Sequence, residues 1–435
     1  MRPSTRFVTA VLAWTGFGAV AGLSPGILGA VWWAIGGALG MAASIDAIRL
    51  RQLPAPTATR QLPDRFAQRA RRLVRLTLRQ DGRQPLHVTL SDDVPPTAGA
   101  VGLPWSTLLP PGQRLTLDYP VTPSQRGPLT FGPLTLRWES PWRLWSRYAA
   151  SGEPTTRRVY PNYEPIVREA LLALAHRESI DGLQQRRRSG ASRDFHQLRD
   201  FQEGDSLAAV DWRATSRRLA LISREYREER NQCVILAIDC GRRLRAIEDG
   251  LPQFDHALNA LLLLAYVALR QGDQVGMLGL GAATQWFAPR RGPHVITPLL
   301  EHLAGYEPSD HSTDFAQAAA LLQARQKQRA LIVIVTNLRN EDTADLLPAL
   351  HLLRQRHLIV IASLQDLALT SALTTPPHDW DSSLATATAH FQRHERALAL
   401  ATLRAAHIDV LDTSATQLPL ALAQHYLDIK HRGRL

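Results

Sequence analysis

At 435 residues the chain exceeds one typical domain and is expected to divide into two or three, each able to hold a core. A net charge of +11 raises nucleic acid as a partner. However, every basic residue except Lys327 and Lys430 is arginine, and the arginines alternate with carboxylates, as in ISREYREER, which argues for an ion-paired surface and against a strand-tracking groove. Neither lysine lies in a G-x-x-x-x-G-K-[ST] pattern, which excludes phosphate-loop nucleotide hydrolysis. Cys233 and Cys240 form neither a C-x-x-C motif nor a disulfide framework, so a reducing compartment is expected.

In chain order, the stretch from Phe7 to Ile45 carries no charged residue and is interrupted near its middle by Ser24-Pro25-Gly26. Two spans of roughly 17 to 20 residues fit within it, each about the thickness of a hydrocarbon core. Arg2 and Arg6 precede the first span, and Arg49, Arg51, Arg60 and Arg65 follow the second. The positive-inside rule then places both flanks in the cytosol, giving a transmembrane hairpin over residues 1–50 in contact with the lipid bilayer. A signal peptide cleaved near Ala19-Val20-Ala21 and a buried soluble hairpin are the competing readings. So long a charge-free run favours the spans.

Residues 51–72 read as an arginine-rich connector. From 73 to 160, short runs such as LVRLTL, LHVTL, RLTLDYPV and PLTFGPLTLRW alternate apolar and polar residues between Gly, Pro and Asp clusters. That pattern predicts a β-sandwich, with Trp138, Trp142 and Trp145 covering its open end rather than stacking bases. Residues 161–231 form a motif-bearing linker region. From 232 to 435, apolar runs of strand length (CVILAID, QVGMLGLG, ALIVIVTN, HLIVIAS, IDVLDT and the weaker TQWFA) are separated by helical stretches. This is the signature of a doubly wound, mainly parallel α/β sheet, whose ligands sit at the carboxyl ends of the strands. Asp239 closes the first of them.

The run GASRDFHQLRDFQEGDSLAAVDWRATSRRLALISREYREERNQCVILAID resembles the signature of the domain of unknown function 58 family. Asp194, Phe195, Leu198, Arg199, Phe201, Gly204, Asp205, Asp211, Trp212, Arg217 and Glu225 carry that resemblance. It implies a membrane-anchored protein of the bacterial inner membrane with its body in the cytoplasm. It further implies a carboxyl-terminal von Willebrand factor A-like domain and a MoxR-type AAA+ ATPase as partner in maturing or remodelling client proteins. No activity of its own is implied, so a non-enzymatic scaffold or adaptor is expected. Two departures stand out. Ala208 occupies a position where the family often has arginine. The metal-binding D-x-S-x-S of an A-type domain reads Asp239-Cys240-Gly241-Arg242-Arg243, with Thr313 and Asn337 as the remaining candidate ligands. With both hydroxyls lost and arginines added, no metal and no cofactor is expected, and Asp239, Gly241, Arg243, Thr313 and Asn337 are read as a docking face.

An enzyme is the alternative: a metal-dependent hydrolase or nuclease built on Glu203, Asp205 and Asp211, with His196 as base. The interleaved Arg199, Arg213, Arg217 and Arg218 instead favour an ion-pair network clasping a loop to the next helix, with the Trp212 ring buried beneath it. His390 and His394 lie at i, i+4 spacing without a third ligand and read as an exposed helix face. Arg186, Arg187 and Arg188 read as a solvated loop that could meet anionic lipid.

Overall fold

In the computed structural model, residues 1–22, 26–162, 168, 194–202, 210–227, 232–281 and 285–435 are described. The chain forms two compact units, Met1–Tyr160 and Pro161–Leu435.

The first unit opens with two apolar helices, α1 (Thr5–Ala21) and α2 (Ile27–Gln52). They pack through a reciprocal device: the Trp14 and Trp32 rings stack 4.8 Å apart, and each indole N–H donates to the other residue's backbone carbonyl, at 3.0 and 3.1 Å. Gly18 and Gly36 make this possible, because a Cβ at either would lie 2.5 Å from the opposing indole. α2 is long and apolar enough to cross a membrane, whereas α1 is shorter.

Nine strands of five or more residues follow, and the two-residue strand Phe66–Ala67 pairs in parallel with the last of them. They are β1 (Thr57–Gln61), β2 (Arg72–Arg79), β3 (Leu86–Asp92), β4 (Trp105–Leu109), β5 (Arg114–Val121), β6 (Gly127–Phe131), β7 (Leu134–Glu139), β8 (Trp145–Ser151) and β9 (Thr155–Tyr160). One sheet runs β8-β7-β3-β4, with Arg2 and Pro3 added at the β8 edge; others run β1-β2-β5 and β9-β6. Alternate residues point inward, so Val74, Leu76 and Leu78 of β2 meet Val88 and Leu90 of β3 and Leu136 and Trp138 of β7 in one core.

The connector expected over 51–72 is corrected here. α2 extends through Gln52, and β1 pairs antiparallel with β2. Arg60 of β1 points inward: it pairs with the Asp92 carboxylate, whose side chain is fully buried, and donates to the Gly132 carbonyl at 2.9 Å, while the Tyr119 hydroxyl donates to the same Asp92 at 2.7 Å. Burial first, then the Asp92 carboxylate, drives the Tyr119 phenol far above its ordinary range.

The second unit begins with an antiparallel pair, β10 (Asp194–Asp200) and β11 (Ile222–Arg227), joined across a segment that includes the short helix α3 (Trp212–Arg218). An α/β body follows, comprising β12 (Cys233–Asp239), α4 (Gln253–Arg270), β13 (Gln274–Leu280), β14 (Gln285–Arg291), α5 (Ile296–Leu303), α6 (Phe315–Arg325) and β15 (Leu331–Thr336). It continues through α7 (Thr343–Arg354), β16 (Leu358–Leu364), α8 (Leu367–Thr374), α9 (Trp380–Ala405), β17 (Asp409–Thr413) and α10 (Leu418–His431). The sheet order is β14-β13-β12-β15-β16-β17, parallel except for the antiparallel edge strand β14.

All seven residues of β12 are buried, because helices cover both faces. Cys233, Ile235 and Ala237 point into a core with α6, α7 and α9, while α4 packs against β12 and β13 from the other side and is backed by α10. The order reverses between β12 and β15, so their carboxyl ends flank the switch point at which a crevice opens in such sheets.

Candidate functional site

Asp239 ends β12 beside that switch point and is 1% exposed. Its Oδ1 accepts the backbone N–H of Gly241 at 2.8 Å and the Thr313 hydroxyl, and its Oδ2 accepts the Thr336 hydroxyl at 2.6 Å. Both oxygens of a buried carboxylate are thereby satisfied by donors from the turn after β12, the connection before α6 and the end of β15. Gly241 is required by this closeness, since a Cβ there would stand 2.6 Å from Thr313 Oγ1 and 2.9 Å from the His311 carbonyl oxygen. A serine side chain has no room at 241. The residues present therefore do not fit a divalent cation, which needs those same oxygens and hydroxyls turned toward a shared point.

The remaining candidates divide between two neighbourhoods. Arg243 reaches the loop after β15, where it meets Glu341 and, at 2.8 Å, Asp342. Burial alone would lower its pKa, but the hydrogen bonds and charges of Asp342 and Glu341 outweigh this and raise it, while Arg243 in turn holds the Glu341 carboxyl below the usual carboxylate range. The Arg243 share of the positive charge expected beside Asp239 is thus neutralised within the fold, while Arg242 is exposed. Asn337, 1% exposed, faces away from Asp239. It donates to Gln253 Oε1 (3.1 Å) and Asp366 Oδ1 (2.9 Å) and accepts from Arg396 Nη1 (3.1 Å). Asp239, Gly241 and Thr313 come together; Asn337 does not join them, and Thr336 takes its place.

Sequence reasoning missed the larger network around Asn337. Asp366 also accepts from Gln253 Nε2 at 3.0 Å and Arg339 Nη2 at 3.1 Å. Arg396 rises from α9 to the ends of three strands, donating to Ser363 Oγ (2.6 Å), to the Leu364 carbonyl (2.8 Å) and to Asp412. The available signal was positional, because Asn337, Ser363, Asp366 and Asp412 stand at or just beyond the ends of strands, whereas nothing in the sequence marks Gln253 on α4 or Arg396 on α9 as their partners. Asn337, Arg339, Asp366, Phe391, Glu395 and Arg396 line an adjoining cleft that opens to solvent.

The signature motif is described in part. Phe195, His196, Leu198 and Arg199 lie on β10, Glu225 lies opposite Gln197 on β11, and Phe201 donates its N–H to the Leu221 carbonyl at 2.9 Å. Asp211 caps α3: its Oδ1 accepts the N–H groups of Arg213 and Ala214, both at 3.0 Å. Arg213, Arg217 and Arg218 are exposed on that helix. The buried ring expected for Trp212 is corrected, since it is 65% exposed, and α3 has no buried residue. Leu219, 94% exposed, and Leu221 and Leu198, at 44% and 41%, extend the apolar surface. Glu203, Gly204, Asp205, Ala208 and Arg186–Arg188 lie outside the described residues. His390 and His394 are exposed on α9, and among the described residues no group of three or more His, Cys, Asp or Glu side chains is placed to hold a metal.

Residues 197–401 match the family model described as "Protein of unknown function DUF58". The DUF58 match thus begins within β10 and runs through most of α9, taking in the motif, the Asp239 cluster and the Asp366 network. The uncharacterized protein YeaD of Bacillus subtilis (strain 168) is 24% identical over 200 residues, covering 44% of this chain and 46% of YeaD. The chain therefore matches about half the length of that relative. Among solved structures, an aerotolerance-related membrane protein from Bacteroides fragilis is 16% identical over 31% of this chain and 70% of that chain, with a TM-score of 0.24. Native E. coli alpha-2-macroglobulin is 17% identical over 24% of this chain and 7% of that chain, with a TM-score of 0.20.

Proposed function

We propose that the chain is a scaffold of the bacterial inner membrane, anchored by a two-span hairpin with its body in the cytoplasm, which presents the motif region to a MoxR-type AAA+ ATPase. The observation that carries this reading is the exposure of Leu198, Trp212, Leu219 and Leu221 on the β10-α3-β11 segment. An exposed aromatic residue flanked by leucines is the composition of a protein-docking centre. The sheet order with one antiparallel edge supports reading the α/β body as von Willebrand factor A-like. Asp239 is committed to holding the turn after β12, the α5–α6 connection and the end of β15 together, and Asp211 to capping a helix. Of the three carboxylates of the hydrolase alternative, Asp211 is engaged in capping α3, which supports the scaffold reading.

The test is affinity capture of the full chain from native membranes, with and without ATP, comparing wild type with Trp212→Ala. Recovery of an AAA+ ATPase with wild type and at least a tenfold loss with the variant, at equal membrane content, is the expected result. Equal recovery by both chains, or none in any nucleotide state, contradicts the proposal.

A further inference from the structure

Both ends of the apolar helix pair are clamped to one turn of the sandwich. Asp46, fully buried near the end of α2, accepts the backbone N–H groups of Trp142 (3.1 Å) and Leu144 (3.2 Å) and the Ser140 hydroxyl. The Trp145 indole N–H donates to the Ala43 carbonyl at 2.9 Å. Ser4, just ahead of α1, donates its hydroxyl to the Arg143 carbonyl and its N–H to the Leu144 carbonyl. The sandwich is therefore fixed at a defined depth along α2.

That depth can be read from lengths. Residues 27–45 of α2, at about 1.5 Å each, extend about 28 Å, close to the roughly 30 Å of a bilayer's hydrocarbon core. If the hairpin spans, the hydrocarbon boundary falls at Asp46, and the Ser140–Trp145 turn that grips it lies in the headgroup layer. The side chains gathered there suit that layer. Trp142, 44% exposed, carries the Arg49 guanidinium 4.9 Å above its ring. Arg2 stands 5.2 Å over the Tyr148 ring, and Arg6 is exposed in the first turn of α1.

Arg143 contacts His87 and lies 3.6 Å from Glu139, which Arg137 shares at 3.8 Å. His87 is held below its ordinary range by burial first and then by the Arg143 charge, with Glu139 opposing and Arg6 adding a smaller push in the same direction. Arginine and tryptophan at a membrane boundary are, respectively, the groups that attract anionic headgroups and those that settle at the interface.

We infer that this seam is a docking surface for anionic phospholipid headgroups, with Arg2, Arg6 and Arg49 meeting the phosphates and Trp142 seated at the interfacial level. The inference rests on the two-span anchor proposed above. The full chain is reconstituted into nanodiscs of phosphatidylcholine, alone or mixed with phosphatidylglycerol, then released into mild detergent, and retained lipids are counted by native mass spectrometry. Selective retention of phosphatidylglycerol is expected, falling about fivefold for each arginine removed by Arg2→Gln, Arg6→Gln and Arg49→Gln, as follows from roughly 1 kcal/mol per juxtamembrane basic residue. The matching Arg→Lys variants should retain the lipid, which separates loss of charge from loss of fold. Incorporation of the wild type with equal retention of both lipids overturns the headgroup surface and leaves the anchor standing. A chain that remains soluble outside the discs without detergent overturns both.

Discussion

Asp239 shows how a residue in a ligand position can be wholly absorbed by the fold. Its carboxylate holds the N–H of Gly241 and the hydroxyls of Thr313 and Thr336, so removing it strands three donors at a site 1% exposed. Asp239→Ala is expected to lower stability by about 3 kcal/mol, read as a fall in the urea midpoint. Gly241→Ser, which restores a hydroxyl that an A-type metal loop would have, should cost about 1–3 kcal/mol through its collision with Thr313 and His311. A stabilised Gly241→Ser protein would refute this packing.

Cys233 gives a second residue-scale check. Burial first, then the nearby Asp273 charge, pushes its thiol up to about 11. Maleimide or disulfide-exchange labelling of the native protein near pH 8 should leave Cys233 unreacted until denaturant is added. Asp239 is legible in the sequence because an acid closes an apolar strand. Thr336 is not, since nothing in LIVIVT separates a threonine that ends a strand from one that donates to a neighbouring strand's carboxylate.

Among the elements, the central strands are legible because burial on both faces makes them continuous apolar runs bounded by turn residues. β1 is not: TATRQ places only Ala58 in the buried class, and its core contribution comes from Arg60, whose inward ion pair with Asp92 no hydropathy pattern records. Trp212 misleads in the opposite way. An aromatic ring predicts burial, yet it opens a helix of seven residues that has no buried face.

The turn between α7 and β16 carries an element-scale prediction. His357 is buried there with no hydrogen-bond partner on either ring nitrogen among the described residues, and burial first, then Arg356, lowers its pKa below 6.5. The unfolded chain therefore takes up a proton, as pH falls through 6.5, that the native state resists. Stability should be fully present above that pH and decline below it, with His302, lowered by burial, adding to the slope. His357→Leu is expected to flatten the acid limb of stability against pH without reducing stability at pH 7.5. An unchanged acid limb would show that His357 does not contribute to it.

At the scale of the whole molecule, the chain couples an apolar helix pair to a sandwich through a clamp whose centre is the buried Asp46 carboxylate, with Ser4 and Trp145 adding further bonds. Asp46→Ala leaves the Ser140 hydroxyl and two backbone N–H groups unpaired, and should cost about 3 kcal/mol in the detergent-solubilised protein, read as a lower thermal midpoint. The charge-free run and its flanking arginines are legible in sequence. The clamp is not, because it joins Asp46 to residues almost a hundred positions away, and only the folded sandwich brings them together.

We propose that the membrane-anchored body docks an AAA+ ATPase through its exposed motif region. The most direct measurement is binding of the purified full chain, held in nanodiscs, to a purified MoxR-type ATPase from the same organism, followed by size-exclusion chromatography in the apo, ADP and ATP-analogue states. Co-migration in at least one state, abolished by Trp212→Ala while the disc-bound chain keeps its thermal midpoint, is the predicted result. Absence of co-migration in every state, or binding indifferent to Trp212, would contradict it.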